Sequence, residues 1–246
     1  MVASIHGGIK KGRLWRFIYS FVLKKFDAVY ATGSDEAKLL SEYTGKMVRW
    51  RSSGISDCFF SSLFIDLPEP VVDVISVSNF YPVKNQRMAV EVASLLPQYQ
   101  FLLVGDGPER KLLQDECLER GIDNITFTGA LPQEDVAQRL SRAKVFLLTS
   151  FSEGTPTAMI EAMASGLTII SSKSNNYESV FTNGYNGYVI DSFRPQDFAD
   201  RIASIIPDVD LRKEIRRVNM VVAKQYSWPS VAREITDWHL GSRCNE

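Results

Sequence analysis

The 246-residue sequence has few cysteines and fewer histidines. Its three cysteines, Cys58, Cys117 and Cys244, are odd in number, far apart and without a C-x-x-C arrangement. That excludes a disulfide scaffold and a thiolate metal cluster, and the thiols read as reduced. His6 and His239 are too few for a histidine-built metal centre. No run approaches the ~20 apolar residues that span a bilayer. The opening MVASIHGGIKKG holds no apolar stretch of signal-peptide length. These absences make a cytoplasmic protein the expectation. Net charge is also nearly missing, at −1, with 45% hydrophobic and 23% charged residues, a balance that excludes disorder and collagen.

The near-zero charge conceals an asymmetry. Residues 1–51 carry 10 Lys/Arg against 4 Asp/Glu, and the remainder 18 against 25. A basic first fifth implies an anionic partner. Residues 10–26, KKGRLWRFIYSFVLKKF, hold six basic residues and no acid, with Trp15, Phe17, Tyr19 and Phe21 among them. Such a segment suits a helix lying on an anionic membrane, here the inner face of the cell membrane. It equally suits a helix whose apolar residues pack on a sheet and leave a solvated basic rim. Both readings stand. No recognition motif accompanies the charge, so nucleic acid is not expected.

What is present is alternation. Strand-like runs at 2–5, 28–32, 71–78, 99–104, 124–128, 144–149, 167–171 and 187–190 interleave with helical stretches. Those stretches cover 14–26, 35–43, 85–96, 109–120, 133–142, 157–165 and 195–206. The pattern predicts an α/β fold with a parallel sheet covered on both faces. FLLVG and VFLLTS are continuously apolar, as doubly buried parallel strands are. The stretch 61–70, SSLFIDLPEP, reads as a linker. Residues 71–225 then form a complete domain. Residues 1–60 supply two or three strands, too few for an independent parallel-sheet domain. They read as the remnant of a second domain, or as half of one that a partner chain completes.

The most specific feature is SEGTPTAMIEAMASG, residues 152–166. Glu153 follows an apolar strand and sits at its carboxyl end, where open α/β sheets bind ligands. A Gly-Thr-Pro turn opens a helix that carries Glu161 and stops at Gly166. The amides of Gly154, Thr155 and Thr157 around Pro156 make an anion-ready helix start.

This string resembles the signature of the retaining, nucleotide-sugar-dependent glycosyltransferases of family four (group 1), which have the GT-B fold of two doubly wound, Rossmann-like domains. The resemblance extends through ISVSNFYPVKNQRMAVEVASLL, FLLVGDGPERKLL, ITFTGALPQEDVAQRLSRAKVFLLTS and NGYNGYVI. It implies a complete C-terminal, donor-binding domain, only the second half of an N-terminal, acceptor-side domain, and in residues 226–246 a C-terminal crossover helix and tail. In VASIHGG it implies that His6 positions the transferred sugar. In DAVYATGSDEAKLLSEY it implies a strand and helix, with Ser34 read as the N-cap.

The resemblance also assigns roles. Glu153 would face the transferred sugar, with residues 154–157 holding its hydroxyls or the phosphates. Glu161 would accept hydrogen bonds from the ribose diol. Lys84, after Pro82, would place a positive charge on the departing diphosphate. Relatives often carry Gly-Arg where this chain has Ser78-Asn79. Asn79 can donate a hydrogen bond but has no charge, and Arg87 is a candidate to compensate. Gly105, in the Gly-Asp-Gly turn at 105–107, reads either as a structural turn or as a donor contact. Asp208-Val209-Asp210 matches the D-x-D of metal-dependent transferases of another fold, but its place before LRKEIRR reads as a helix cap. No metal or other cofactor is expected. The implied activity is transfer of a sugar from a nucleotide sugar to a glycan or lipid-linked acceptor, in cell-surface polysaccharide or glycoconjugate synthesis. The alternative is a non-catalytic or partner-dependent nucleotide-sugar-binding module. An epimerase of the same fold is a further rival that the glutamate string disfavours.

Overall fold

Strands and helices alternate through most of the computed structural model, which describes residues 2–5, 11–63, 71–173 and 180–243. In chain order they are β1 (Val2–Ile5), α1 (Arg13–Leu23), β2 (Ala28–Ala31), α2 (Ser34–Thr44), β3 (Val48–Trp50), β4 (Val72–Val77), α3 (Gln86–Leu95) and β5 (Phe101–Val104). Then come α4 (Arg110–Arg120), β6 (Ile125–Gly129), α5 (Gln133–Ser141), β7 (Ala143–Leu148), α6 (Thr157–Ala164), β8 (Thr168–Ser172) and β9 (Gly187–Ile190). Helices α7 (Pro195–Ile205), α8 (Val209–Ala223) and α9 (Trp228–Arg243) complete the described chain. Two compact units result. One comprises Met1–Ile55, Gly154–Thr157 and Gln225–Glu246, and the other Ser56–Glu153 and Ala158–Lys224.

The first unit is built on a parallel sheet in the order β1-β2-β3. All four residues of β2 are buried, and Val29 and Ala31 pack with Leu23, Ala37, Leu40 and Val48. The Tyr30 hydroxyl donates to the Ile235 carbonyl of α9, and its ring meets Trp238 edge-on at 4.7 Å. Burial raises the Tyr30 phenol to about 12, so it remains a neutral donor. Two details differ from the sequence reading. Strand β3 is absent from it, because VRW is three residues long with a charge in the middle. Ser34 is not the cap of α2: Gly33 is extended (φ −114°, ψ 143°) and occupies that position, and Ser34 is already the first helical residue.

The second unit holds six parallel strands in the order β6-β5-β4-β7-β8-β9. This is a doubly wound arrangement, with β4 in the centre pairing β5 on one side and β7 on the other. The period-two alternation of a strand sends Val74, Val145 and Ile170 to one face, where α3, α4 and α7 cover them with Met88, Val92, Leu113, Phe198 and Ile202. Ile75, Phe146 and Ile169 point the other way and are equally buried. Helix α5 packs behind β7 and α8 behind β8. Burial on both faces explains why these strands read as unbroken apolar runs.

Two buried asparagines tie this unit together. Asn219 of α8 donates through Nδ2 to the Leu167 carbonyl at 2.8 Å and accepts from Asn186 Nδ2 at 2.9 Å. Asn186 in turn accepts the Thr182 amide at 2.8 Å. The alternating donors and acceptors leave the two amide side chains satisfied without solvent.

Candidate functional site

Strand order in the second unit reverses between β4 and β7, and ligands of such sheets bind beyond the carboxyl ends of the strands at that point. The stretches that leave β4 and β7 there are stitched together. The Thr149 hydroxyl lies within hydrogen-bond distance of the carbonyls of Lys84, at 3.2 Å, and Asn85, at 2.9 Å. The Phe151 amide donates to the Val83 carbonyl at 2.9 Å. Pro82–Lys84 form a 3-10 turn that ends at Asn85, a left-handed residue (φ 48°) and the only non-glycine with positive φ among the described residues. Asparagine tolerates that conformation better than most side chains.

This backbone arrangement delivers Lys84 to Glu153. The Lys84 ammonium donates to both carboxylate oxygens, at 2.7 and 2.9 Å. Glu153 is 8% exposed, so its charge is held away from water and requires such a partner. Glu161, on α6, is treated differently. No cation faces its carboxyl among the described residues, and desolvation alone pushes it up to about 7. Near neutral pH it therefore stands between an acid that donates and a carboxylate that accepts.

The other predicted residues fall as follows. Asn79 is exposed, directly before the fully buried Phe80. Arg87 does not compensate for it, since its guanidinium pairs with Glu116 of α4. Gly105 is explained by close approach. A Cβ there would lie 2.0 Å from the Ser78 carbonyl oxygen, and its φ of +133° is unfavourable for any L side chain. It therefore supports the stretch after β4 from beneath. Gly154 is exposed and Pro156 buried. Thr155 donates its hydroxyl to the Thr32 carbonyl within the first unit. The Thr157 amide is bonded to the Thr155 carbonyl at 2.8 Å, which removes it from the donors at that helix start. Asp208 accepts the Leu211 amide at 3.0 Å and caps α8. His6 lies outside the described residues. Sequence reasoning missed Thr149 and Asn85. A hydroxyl at the end of a strand carries no mark of its partners, 64 and 65 positions away.

The order of strands defines an α/β domain of the doubly wound class. The family model of the glycosyl transferases group 1 matches residues 64–219. The chain belongs to that family. It is 28% identical over 178 residues to the lipopolysaccharide core biosynthesis glycosyltransferase LpsE of Rhizobium meliloti, covering 72% of this chain and 51% of LpsE. Among solved structures, a glycosyltransferase from Rickettsia africae superposes with a TM-score of 0.82 at 17% identity, over 100% of this chain and 71% of its own. Anabaena Alr3699/HepE in complex with UDP and glucose superposes with a TM-score of 0.79 at 18% identity, over 96% and 70%. These two likenesses are of GT-B fold. The chain spans about half the length of the curated relatives it matches.

Proposed function

We propose that the chain forms the donor-binding part of a retaining glycosyltransferase. It would move a sugar from a nucleotide sugar to a hydroxyl of a glycan or lipid-linked acceptor, without a metal or other cofactor. The observation that carries this reading is the Lys84–Glu153 pair at the point where strand order reverses. Lys84 is the cation for the diphosphate, Glu153 faces the sugar, and Glu161 takes the ribose diol. A carboxylate suits a vicinal diol because its two oxygens accept one hydroxyl each. Support comes from LpsE, whose name gives it to lipopolysaccharide core synthesis, and from HepE, solved with UDP and glucose.

In the proposed reaction the bond from the sugar's anomeric carbon to the diphosphate oxygen breaks. The acceptor oxygen bonds to that carbon on the same face, and its proton passes to the departing phosphate. The protein's part is to hold the leaving charge with Lys84 and to position the sugar with Glu153.

The test is incubation of the purified chain with labelled nucleotide sugars and candidate acceptors, with the anomeric configuration of the product read by NMR. Retained configuration and unchanged activity with a chelator are expected. An inverted product, or loss of activity on chelation, overturns the mechanism.

A second reading is a nucleotide-sugar-binding module whose turnover needs a partner chain. It is favoured by Asn79 and by the pairing of Arg87 with Glu116, which together leave the diphosphate without a second cation from these positions. Nucleoside diphosphate binding without turnover, restored by a partner, would favour it over the first.

A further inference from the structure

Helix α1 is apolar on two sides. One side faces the core of the first unit. Leu23 is buried there, and Tyr19 packs against the same core and stacks with Tyr43 of α2. The opposite side is also apolar and faces outward. Leu14 is 67% exposed, Phe17 70% and Phe21 60%, and Val22 is exposed beside them. Their spacing of three, four and one places them on one stripe, opposite Leu23. Phe17 and Phe21 stack at 6.4 Å, so the stripe presents a continuous aromatic surface.

An apolar stripe of this kind on a helix that already has a core face needs an occupant. Charge selects which. Arg13, Lys24 and Lys25 flank the stripe, residues 10–26 contain no acid, and the Lys25 ammonium lies 4.6 Å over the Phe21 ring. A protein partner built around an apolar contact has no need of so many cations at its rim. A lipid surface with anionic headgroups satisfies both features: the rings enter the acyl boundary and the long basic side chains reach the phosphates.

We propose that α1 docks the protein peripherally on an anionic lipid bilayer, with Leu14, Phe17, Phe21 and Val22 inserted and the surrounding Lys and Arg on the headgroups. The proposal does not depend on the assignment of the donor site.

Flotation of the full chain with phosphatidylcholine–phosphatidylglycerol vesicles, against phosphatidylcholine alone, tests it. Binding to the anionic vesicles is expected, weakened by salt, and reduced about tenfold in Phe17→Ser/Phe21→Ser. Lys24→Gln/Lys25→Gln is expected to lose the preference for anionic lipid while keeping the fold. Because the substituted side chains are exposed, circular dichroism should be unchanged. If the aromatic variant fails to fold, the lysine variant and the salt dependence still decide. Absence of flotation overturns the proposal, as does flotation indifferent to both variants. Self-association of the chain that Phe17→Ser/Phe21→Ser abolishes, without vesicle binding, assigns the stripe to a protein partner and overturns it equally.

Discussion

Lys84 and Glu153, 69 residues apart in sequence, neutralise each other through two hydrogen bonds where the strand order of the second unit turns back on itself. The cation assigned to a diphosphate is therefore already engaged before any ligand arrives, and binding has to share or replace that partner. Glu153→Gln should free the ammonium and raise affinity for a nucleoside diphosphate about fivefold, while lowering turnover about a hundredfold. Isothermal titration and initial rates measure the two effects separately. A parallel fall in both would mean that the pair acts as a single binding element.

Lys84→Ala removes the other half. It leaves a buried carboxylate without its cation, which should cost about 3 kcal/mol of stability and weaken nucleoside diphosphate binding at the same time. Urea unfolding and titration calorimetry report the two losses.

Burial of Glu161 makes stability depend on pH. Its carboxyl holds a proton up to about 7 in the folded chain, against an ordinary 4.5. Between those values the folded state binds more protons than the unfolded one, so this contribution is fully present below 4.5 and is lost as pH rises to 7. Glu161→Gln carries no titrating group and should lack that decline. Denaturant unfolding at about pH 4 and about pH 8, on either side of that window, should show the difference between the variant and the natural chain growing with pH. In binding the sign is opposite. A ribose diol needs the carboxylate, so affinity referenced to Glu161→Gln should rise with pH through the same window.

Gly105→Ala would place a methyl group 2.0 Å from the Ser78 carbonyl oxygen at a φ of +133°. The backbone must move, at a cost of about 2–4 kcal/mol. The displaced stretch is the one that carries Lys84, so a weaker nucleoside diphosphate affinity should accompany the lower unfolding midpoint.

Asn219→Ala should lower stability and nothing else. It strands the Leu167 carbonyl and the Asn186 amide inside the protein, at about 3 kcal/mol in all, without touching the ligand site. A melting shift with unchanged ligand affinity is the expected result.

Much of the second unit is legible in the sequence because its strands are buried on both faces. FLLV and AKVFLL leave little choice of state, and glycines and prolines punctuate them. Strand β3 is not legible, because VRW shows neither alternation nor length, and it becomes a strand through Ala31 and its neighbours on β2. Lys84 and Glu153 can each be picked out from the motif they resemble. Their mutual bond cannot, since it depends on β4 and β7 being neighbours in a sheet whose order differs from the order of the chain. Arg87 shows the converse error. Its position beside the site in sequence suggests a ligand role, but the helix turns it toward Glu116.

The bonds from Thr149 and Phe151 to the carbonyls of residues 83–85 have one more consequence. The two stretches they join behave as a single mechanical part, so neither is free to change length alone. An inserted residue in either would slide Lys84 past Glu153 by about the 3.8 Å between consecutive Cα atoms, beyond hydrogen-bond reach. Variation in this chain should therefore accumulate as insertions at the turns on the far edge of the sheet and as substitutions, not insertions, here.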